Sequence, residues 1–482
     1  MNFKVVISAI LASTIAVVGC DSSSNGGAAG SGGTAGGGGA GSGGTAGGGG
    51  EGGAGGAPSA RDCDNLPDLS AYSIVGAPAT DAPCTTTFND TSAMAGENLQ
   101  LAIDDASSGD VICIAPGTYN INQQIGISRV PLTLQGTGTS PDDVVLNFGG
   151  PGSMGGIFID QGDVTVENFW IKNTPANAIQ NKGDDSVLRK LHVSWDNEDP
   201  TDNGLYGIYP TEATNTLLEY CQMSGAKDAG IYVGKYVTGV VKNNLVHDNV
   251  LGLEVENSDQ VEVFHNEMVN NTAGLLALQQ PLSETLRIAN TNIEFYENDV
   301  WCNNGENFAT GGGIIPLIPV GTGLVLYAGN QIDIHDNNIE LNDTVGAGII
   351  SNTLICQLTG NDCPGGYPVG YNPYPQNIYV YDNTYAGNGT MADPNSPFGQ
   401  LFAGIGFGTP ESPTPDVVWD GYIEPEYTSI NLCIGSTNQP SFLDFTQNKC
   451  TETMQGDVMA FGVCAFINKT EDTTAVTCDL PN

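Results

Sequence analysis

The residues best suited to chemistry in this sequence are carboxylates close to two short apolar runs. Glu254 and Glu256 are two residues apart, so a β-strand would place both on one face with about 7 Å between their α carbons. Such a pair could serve as a general acid and base or hold a Ca²⁺ ion. Asp228 and Lys227 precede the neighbouring run and are the other candidate catalytic residues.

Aromatic residues occupy the matching positions of the neighbouring runs. Tyr209 and Tyr232 stand where Glu254 stands in its own run. Aromatic rings beside acceptor oxygens are what sugars need for ring stacking and hydroxyl hydrogen bonds. Trp195 and Lys235, in adjacent segments, complete the predicted substrate-binding set. The alternative is that the tyrosines simply favour strands and the glutamates are ordinary solvated residues.

The four histidines lack a catalytic partner in the sequence. His247, His265 and His335 lie in turn-like stretches rich in Asp, Asn and Glu, and His192 lies on a strand-like run before Trp195. We expect all four to be structural or solvated, because a general base needs a positioned partner. The sequence contains no Cys/His cluster at zinc spacing and no dinucleotide or phosphate motif.

A repeat of about 22 residues must position the candidate residues. Gly207, Gly230, Gly252 and Gly274 each open a strand-like run. A unit this short cannot bury its own apolar face, so successive units must stack, and alternation within each run favours strands. The sequence predicts an all-β chain, a single-stranded parallel β-helix in which Ile208, Ile231, Leu253 and Leu275 point inward and the tyrosines and glutamates outward. Residues 96 to 106 show an amphipathic helix pattern that would cap its first coil.

Asparagines repeat in step with the glycines. They occupy one slot of the repeat and predict a ladder of stacked side chains at turns, without any catalytic role. Its members are Asn244, Asn266, Asn298, Asn337 and Asn383.

Three stretches carry a family resemblance. They are Asp-Asn-Gly-Leu-Tyr-Gly-Ile-Tyr-Pro from Asp202, Asp-Ala-Gly-Ile-Tyr-Val-Gly from Asp228, and Gly-Leu-Glu-Val-Glu-Asn-Ser from Gly252. Together with Asn271-Thr-Ala-Gly-Leu-Leu, they resemble bacterial right-handed parallel β-helix repeat proteins over most of residues 96 to 480. The resemblance implies the fold and a place among carbohydrate-binding and sugar-hydrolase β-helices.

The same group resembles alginate C5-epimerases and polysaccharide lyases. Epimerases of this fold carry Tyr-Gly-Phe-Asp-Pro-His-Asp, where this chain has Tyr-Gly-Ile-Tyr-Pro-Thr-Glu from Tyr206. The motif histidine is replaced by Thr211, and loss of a general base typically costs about 10² to 10⁴ in rate. Epimerisation by the same residues is therefore disfavoured.

The N-terminus resembles a bacterial lipoprotein signal. An apolar run from Val5 to Val18 precedes Gly19 and Cys20, so the resemblance implies that residues 1–19 are removed and Cys20 is lipidated. Residues 20–60 then form a flexible Gly/Ser-rich linker. We expect a lipid-anchored protein of the bacterial cell envelope, at the outer membrane or cell surface rather than the inner membrane.

The remaining organisation follows from composition. We expect an N-terminal segment over 61–95, the β-helix over 96–428 and a cysteine-rich C-terminal region over 429–482. We expect disulfides that close local regions between Cys63 and Cys84 and between Cys356 and Cys363. We expect buried thiols at Cys113, Cys221 and Cys302.

Charge restricts the partners. The net charge of −41 excludes nucleic acid and also opposes acidic glycans, unless Ca²⁺ bridges carboxylates or a basic cleft intervenes. We expect a monomer. The leading hypothesis is polysaccharide binding along the outward strands. The alternatives are a polysaccharide lyase or hydrolase, with or without Ca²⁺, and a structural or adhesive surface protein without catalysis.

Overall fold

The computed structural model describes residues 61–79, 82–281, 291–310, 314–358, 367, 371–421, 431–435 and 440–444. The chain divides into two compact units, Met1–Leu66 and Pro67–Asn482. In the first unit, the described residues 61–66 contain a turn in which the backbone N–H of Asn65 donates to the Asp62 carbonyl over 3.2 Å. The predicted signal peptide, Cys20, the glycine-rich linker and most of the cysteine-rich tail lie outside the described residues.

The second unit coils so that strands from successive turns pair in parallel. A short helix, α1 (Ala95–Asp104), opens the solenoid and buries Leu99 and Ile103, which confirms the predicted capping helix. Two further helices, α2 (Asn352–Leu358) and α3 (Pro397–Gly404), lie in long connections between later strands.

Three faces of the solenoid are formed by stacked strands. Among the described residues, sheets 1 and 2 belong to one 20-stranded sheet because two long strands, Thr165–Lys172 and Val187–Ser194, run through both, and sheet 3 has 11 strands. Sheet 1 contains β1 (Thr86–Phe88), β2 (Asp110–Ile114), β5 (Leu132–Gly136), β8 (Thr165–Lys172), β10 (Val187–Ser194), β12 (Thr216–Glu219), β15 (Gly239–Lys242), β18 (Asp259–Phe264), β21 (Thr291–Tyr296), β24 (Asn330–His335), β27 (Gln376–Tyr381) and β30 (Leu432–Ile434). Sheet 2 adds β3 (Gly117–Asn120), β6 (Val144–Asn147), β13 (Gln222–Ser224), β16 (Leu245–His247), β19 (Glu267–Val269), β22 (Asp299–Trp301), β25 (Asn338–Glu340) and β28 (Thr384–Ala386). Sheet 3 contains β4 (Ile125–Ile127), β7 (Ile157–Ile159), β9 (Ile179–Asn181), β11 (Tyr206–Pro210), β14 (Ala229–Gly234), β17 (Leu251–Glu256), β20 (Ala273–Leu278), β23 (Thr322–Tyr327), β26 (Val345–Ile350), β29 (Val417–Trp419) and β31 (Phe442–Asp444).

The core is a column of aliphatic side chains inside the coils. The predicted inward residues of β11, β14, β17 and β20 pair in register and are fully buried. Burying each such side chain contributes about 1.5 to 3 kcal/mol. The glycines that mark the repeat permit close stacking, because a Cβ on Gly207 would lie 2.3 Å from the Gly230 carbonyl oxygen and one on Gly252 would lie 2.4 Å from that of Gly274.

Buried asparagines form two ladders. In the predicted ladder each side-chain amide donates to the next, as from Asn244 to Asn266 over 2.8 Å and from Asn337 to Asn383 over 2.9 Å. A second ladder, five residues further along each coil, was not predicted. Its four amide-to-amide bonds measure 3.0 to 3.1 Å and connect Asn249, Asn271, Asn303, Asn342 and Asn388.

The cysteines correct part of the expected pattern. Cys84 is bonded to Cys113, so the pairing with Cys63 and the buried thiol at Cys113 were wrong. Cys302 is also disulfide-bonded, so the buried thiol expected there was wrong as well. Cys221 is a buried thiol, as predicted. Parallel pairing continues beyond residue 428, since β30 pairs with β27 and β31 with β29.

Candidate active site

The candidate site lies on the outward side of sheet 3. Tyr209 pairs with Gln180, and Tyr232, Glu254 and Leu276 follow in register on β14, β17 and β20. A second row, two residues further along each strand, contains Gly234, Glu256 and Leu278. The predicted alternation and register are confirmed for both rows.

Burial of this outward side departs from the prediction of an open surface. Glu254 is 2% and Glu256 7% exposed, while Tyr209 and Tyr232 are 8% and 5% exposed. Both tyrosines pack in an apolar cluster with Leu276 and Leu278, separate from the core inside the coils. The two glutamates are therefore not solvated surface residues, and the two tyrosines are not open platforms for a sugar ring.

Three tyrosine rings stack at one end of the rows. Tyr206 lies 4.6 Å from Tyr232 and 5.0 Å from Tyr209, between ring centroids, and Tyr209 lies 4.7 Å from Tyr232. Tyr206 is only half-buried and is the ring of this trio that reaches solvent most. Sequence reasoning missed Tyr206 as a site residue. The feature that could have indicated Tyr206 is its pairing with Ala229, which is the residue that follows Asp228 in the sequence.

Asp228, Glu254 and Glu256 form an acidic triad beside these rings. Burial, followed by the charges of Glu256 and Asp228, holds the pKa of Glu254 well above its ordinary value. Burial also raises the pKa of Glu256, and hydrogen bonds from Tyr232 and Glu254 oppose that rise. The hydrogen bond between these two carboxyl groups raises the pKa of Glu254 and lowers that of Glu256, so a proton shared by the pair favours Glu254.

Asp228 has the pKa best suited to proton transfer near neutrality. Burial raises its pKa to about 6, while a hydrogen bond from the Tyr206 hydroxyl partly opposes that change. The pKa of Tyr206 is raised by burial and then by the charges of Asp228 and Glu254. Because Asp228 is half-buried, it is the most accessible carboxyl group of the triad.

The polar neighbours of Glu256 hold it in place. Gln280 donates from Nε2 to Glu256 Oε2 over 3.2 Å. Lys235 adjoins it, with a backbone N–H donating to the Glu256 carbonyl over 3.1 Å, and its positive charge lowers the pKa of Glu256. The predicted residue Lys235 is thus close to the triad, and Gln280 is a neighbour that the sequence did not indicate.

Two predicted residues are engaged elsewhere. Lys227 donates from Nζ to the Thr201 carbonyl over 3.0 Å. Trp195 is buried in the core inside the coils, with Nε1 donating to the Thr174 carbonyl over 2.7 Å. Trp195 therefore lies in the core inside the coils and not in the cluster that holds Tyr209 and Tyr232.

The histidines pair with carboxylates away from the triad. His192 is buried with Nδ1 2.7 Å from Asp142, and burial lowers its pKa. His335 contacts both Asp336 and Glu294, and these contacts raise its pKa although burial opposes them. Within the described residues, no group of three or more His, Cys, Asp or Glu side chains is arranged to hold a metal ion.

Comparison with known proteins agrees with this architecture. Residues 151–300 match the family model described as the right handed beta helix region. The fold is a right-handed parallel β-helix. No curated protein matches the sequence.

Solved structures give only distant likenesses. The A-modules of the mannuronan C-5 epimerases AlgE4 and AlgE6 of Azotobacter vinelandii are 14% and 16% identical, with TM-scores of 0.46 and 0.45. These alignments cover 69% and 73% of this chain and 94% and 97% of theirs. An alginate lyase from Paenibacillus sp. str. FPU-7 is 13% identical with a TM-score of 0.30, over 63% of this chain and 97% of its own. Likenesses at this level say nothing about a shared substrate or reaction.

The described helices carry no membrane-crossing signal. None of them is long and apolar enough to span a bilayer.

Proposed function

We propose that this β-helix is a carbohydrate-active enzyme that cleaves a polysaccharide by acid–base catalysis, of the lyase or hydrolase type. The observation that supports it is the acidic triad of Asp228, Glu254 and Glu256 packed against three tyrosine rings on one face. Strongly perturbed carboxyl groups concentrate at functional sites, and a carboxyl with a pKa near 6 can both accept and donate a proton at neutral pH.

The partly exposed groups define where a sugar would contact the protein. Tyr206 offers a ring face and a hydroxyl, and Asp228 offers the accessible carboxyl. Glu254 and Glu256 lie behind them and set the electrostatic environment. Binding without catalysis, the leading hypothesis from the sequence, receives less support because Tyr209 and Tyr232 are buried.

The deciding experiment is proton NMR of the protein with neutral and acidic polysaccharides. New unsaturated-sugar signals would identify a lyase, and new anomeric signals a hydrolase. Line broadening alone would leave a binding protein, and an unchanged spectrum across the panel would favour the structural or adhesive alternative.

We also propose that the chain is exported and anchored through lipidated Cys20, on the strength of the apolar run and Cys20 in the sequence. Cell fractionation tests this directly. The wild-type protein should sediment with the envelope, and Cys20→Ala should prevent lipidation and release the protein from it. A protein that fractionates identically in both forms would contradict the anchor.

A further inference from the structure

An apolar cavity lies on the outward side of sheet 3, beyond the acidic triad. It is bounded below by β20, β23 and β26 and above by α2, α3 and the short 3₁₀ turn Ile315–Leu317. Leu278, Val325, Ile355 and Phe402 are among the side chains that line it. The catalytic proposal does not use this space.

A glycine creates the cavity. In the outward row, Leu276 pairs with Val325, Val325 with Gly348, and Gly348 with Val418. A Cβ on Gly348 would meet nothing within 4 Å. This distinguishes it from Gly207, where the backbone of the next coil excludes a side chain. One missing side chain in a row of bulky ones therefore leaves the space open.

The polar groups at the cavity are already engaged. Asp420 accepts hydrogen bonds from the Ser351 backbone N–H and hydroxyl, both at 2.7 Å. Thr322 donates to the Pro319 carbonyl over 2.8 Å. A cavity with apolar walls and satisfied polar groups holds water poorly and accepts hydrocarbon.

The cavity continues the same row of residues as the acidic triad. Glu254 pairs with Leu276 and Glu256 with Leu278, and Leu278 is itself part of the cavity wall. Three strand steps separate Glu254 from Gly348, which is about 14 Å at roughly 4.8 Å per step. One molecule could therefore place a sugar at the triad and a hydrocarbon chain in the cavity.

We propose that this cavity binds the alkyl or acyl chain of an acylated or alkylated glycan. The cavity stands on its own geometry, and the attachment of the chain to a sugar rests on the proposed function.

The first test uses 1-hexanol, 1-octanol and 1-decanol, with binding measured by titration calorimetry. Wild-type protein should bind them, with affinity rising about fourfold per added methylene until the cavity is full, from about 0.8 kcal/mol per buried CH₂. Gly348→Leu fills the space and should weaken 1-octanol binding at least tenfold while leaving the melting temperature unchanged or higher. Gly150→Leu, at an exposed glycine whose Cβ would also meet nothing within 4 Å, should bind like wild type. Absence of alkanol binding, or equal affinity in Gly348→Leu, overturns the cavity as a binding site.

The second test separates the cavity from the triad by using octyl glucoside below its micelle concentration. If the chain belongs to a glycan, the glucoside should bind more tightly than 1-octanol, and Asp228→Asn, at the accessible carboxyl of the triad, should remove that gain without affecting 1-octanol. If the glucoside gains nothing over 1-octanol, the link to a glycan is overturned, although binding of 1-octanol would still confirm the cavity. Turnover of unsubstituted polysaccharide tests the proposed function separately.

Discussion

Charged residues have opposite kinds of neighbours on the outward sides of sheets 1 and 3. On sheet 1, carboxylates alternate with cations along one row, as Arg189 pairs with Glu167 and Lys242 with Glu219. On sheet 3, Glu254 has Glu256 and Asp228 as its charged neighbours, and all three are wholly or partly buried. Charges that compensate each other stabilise a fold, whereas like charges forced together shift pKa values and make proton transfer possible.

The aromatic rings show the same contrast. The sheet 1 row continues into a stack of Phe264, Tyr296, His335 and Tyr381 with centroid distances of 4.7 to 5.3 Å. Carboxylates such as Glu262 and Glu294 lie beside this stack and remain in contact with solvent. Tyr206, Tyr209 and Tyr232 stack equally closely on sheet 3, but there the neighbouring acids are enclosed. Enclosure, more than residue type, distinguishes the candidate site.

The largest expected difference between the two sheets is in catalysis. Asp228→Asn should lower turnover of a polysaccharide substrate by about 10² to 10⁴, because it removes the proposed proton-transferring group. Glu262→Gln, at an exposed glutamate of sheet 1, should leave turnover unchanged. Rates are measured by NMR or reducing-end release, and full activity in Asp228→Asn would remove that residue from the mechanism.

Removal of a compensating charge from sheet 1 should destabilise the fold. Arg189→Met leaves Glu167, which is 1% exposed, without its guanidinium partner. An unpaired buried carboxylate should lower the free energy of unfolding by about 3 kcal/mol. Urea denaturation measures this loss, and Arg129→Met, at an exposed arginine, is the control. A midpoint equal to wild type would show that the pair does not stabilise the sheet.

The triad should make stability depend on pH. Because burial raises the folded-state pKa of Asp228 to about 6 from an ordinary value of 3.8, the native state favours the protonated carboxyl. The contribution of Asp228 is therefore fully present below pH 3.8 and is lost as the pH rises through about 6, which amounts to about 3 kcal/mol at roughly 1.4 kcal/mol per pH unit. Urea denaturation of wild type and Asp228→Asn across this range should show their difference changing with pH. A constant difference would contradict the raised pKa.

The smallest expected effect is a gain in stability. Glu254→Gln removes an acid whose ionisation is opposed by burial and by Glu256, so the free energy of unfolding at pH 8 should rise by about 1 kcal/mol. The same change at Glu167 should lower it, since Glu167 has a cationic partner. If both substitutions moved the denaturation midpoint in the same direction, the contrast between the two sheets would fail.

The side of the sheet to which each side chain points, and the register between neighbouring strands, were predictable from the sequence. Both follow from the alternation within each strand and from the repeat. Ile208 and Ile231 point inward, and Tyr232 stacks beside Glu254 on the outward side, as expected. Tyr206 was missed because alternation gives it the same direction as Ile208. It is the first residue of β11, and its ring joins the outward tyrosines.

Enclosure of the site could not be predicted, because it depends on segments far away in the sequence. Tyr371 donates to the Gln279 carbonyl over 2.9 Å across 92 residues, immediately before the Gln280 that holds Glu256. No periodic pattern encodes where such an insertion docks. The Cys84–Cys113 bond was missed for a similar reason, since pairing depends on the distance between two segments and not on how they bracket a loop.

Each coil from Asn244 onward to Asn388 contributes one asparagine to each of the two ladders. Successive members are 22 residues apart between Asn244 and Asn266 but 46 apart between Asn337 and Asn383, yet the amide contacts stay within 0.1 Å of each other. Extra residues are accommodated outside the ladder, so long insertions can lengthen a coil without disturbing its neighbours. The protein could therefore gain or lose whole coils and change in length while every remaining asparagine kept a partner on the next coil.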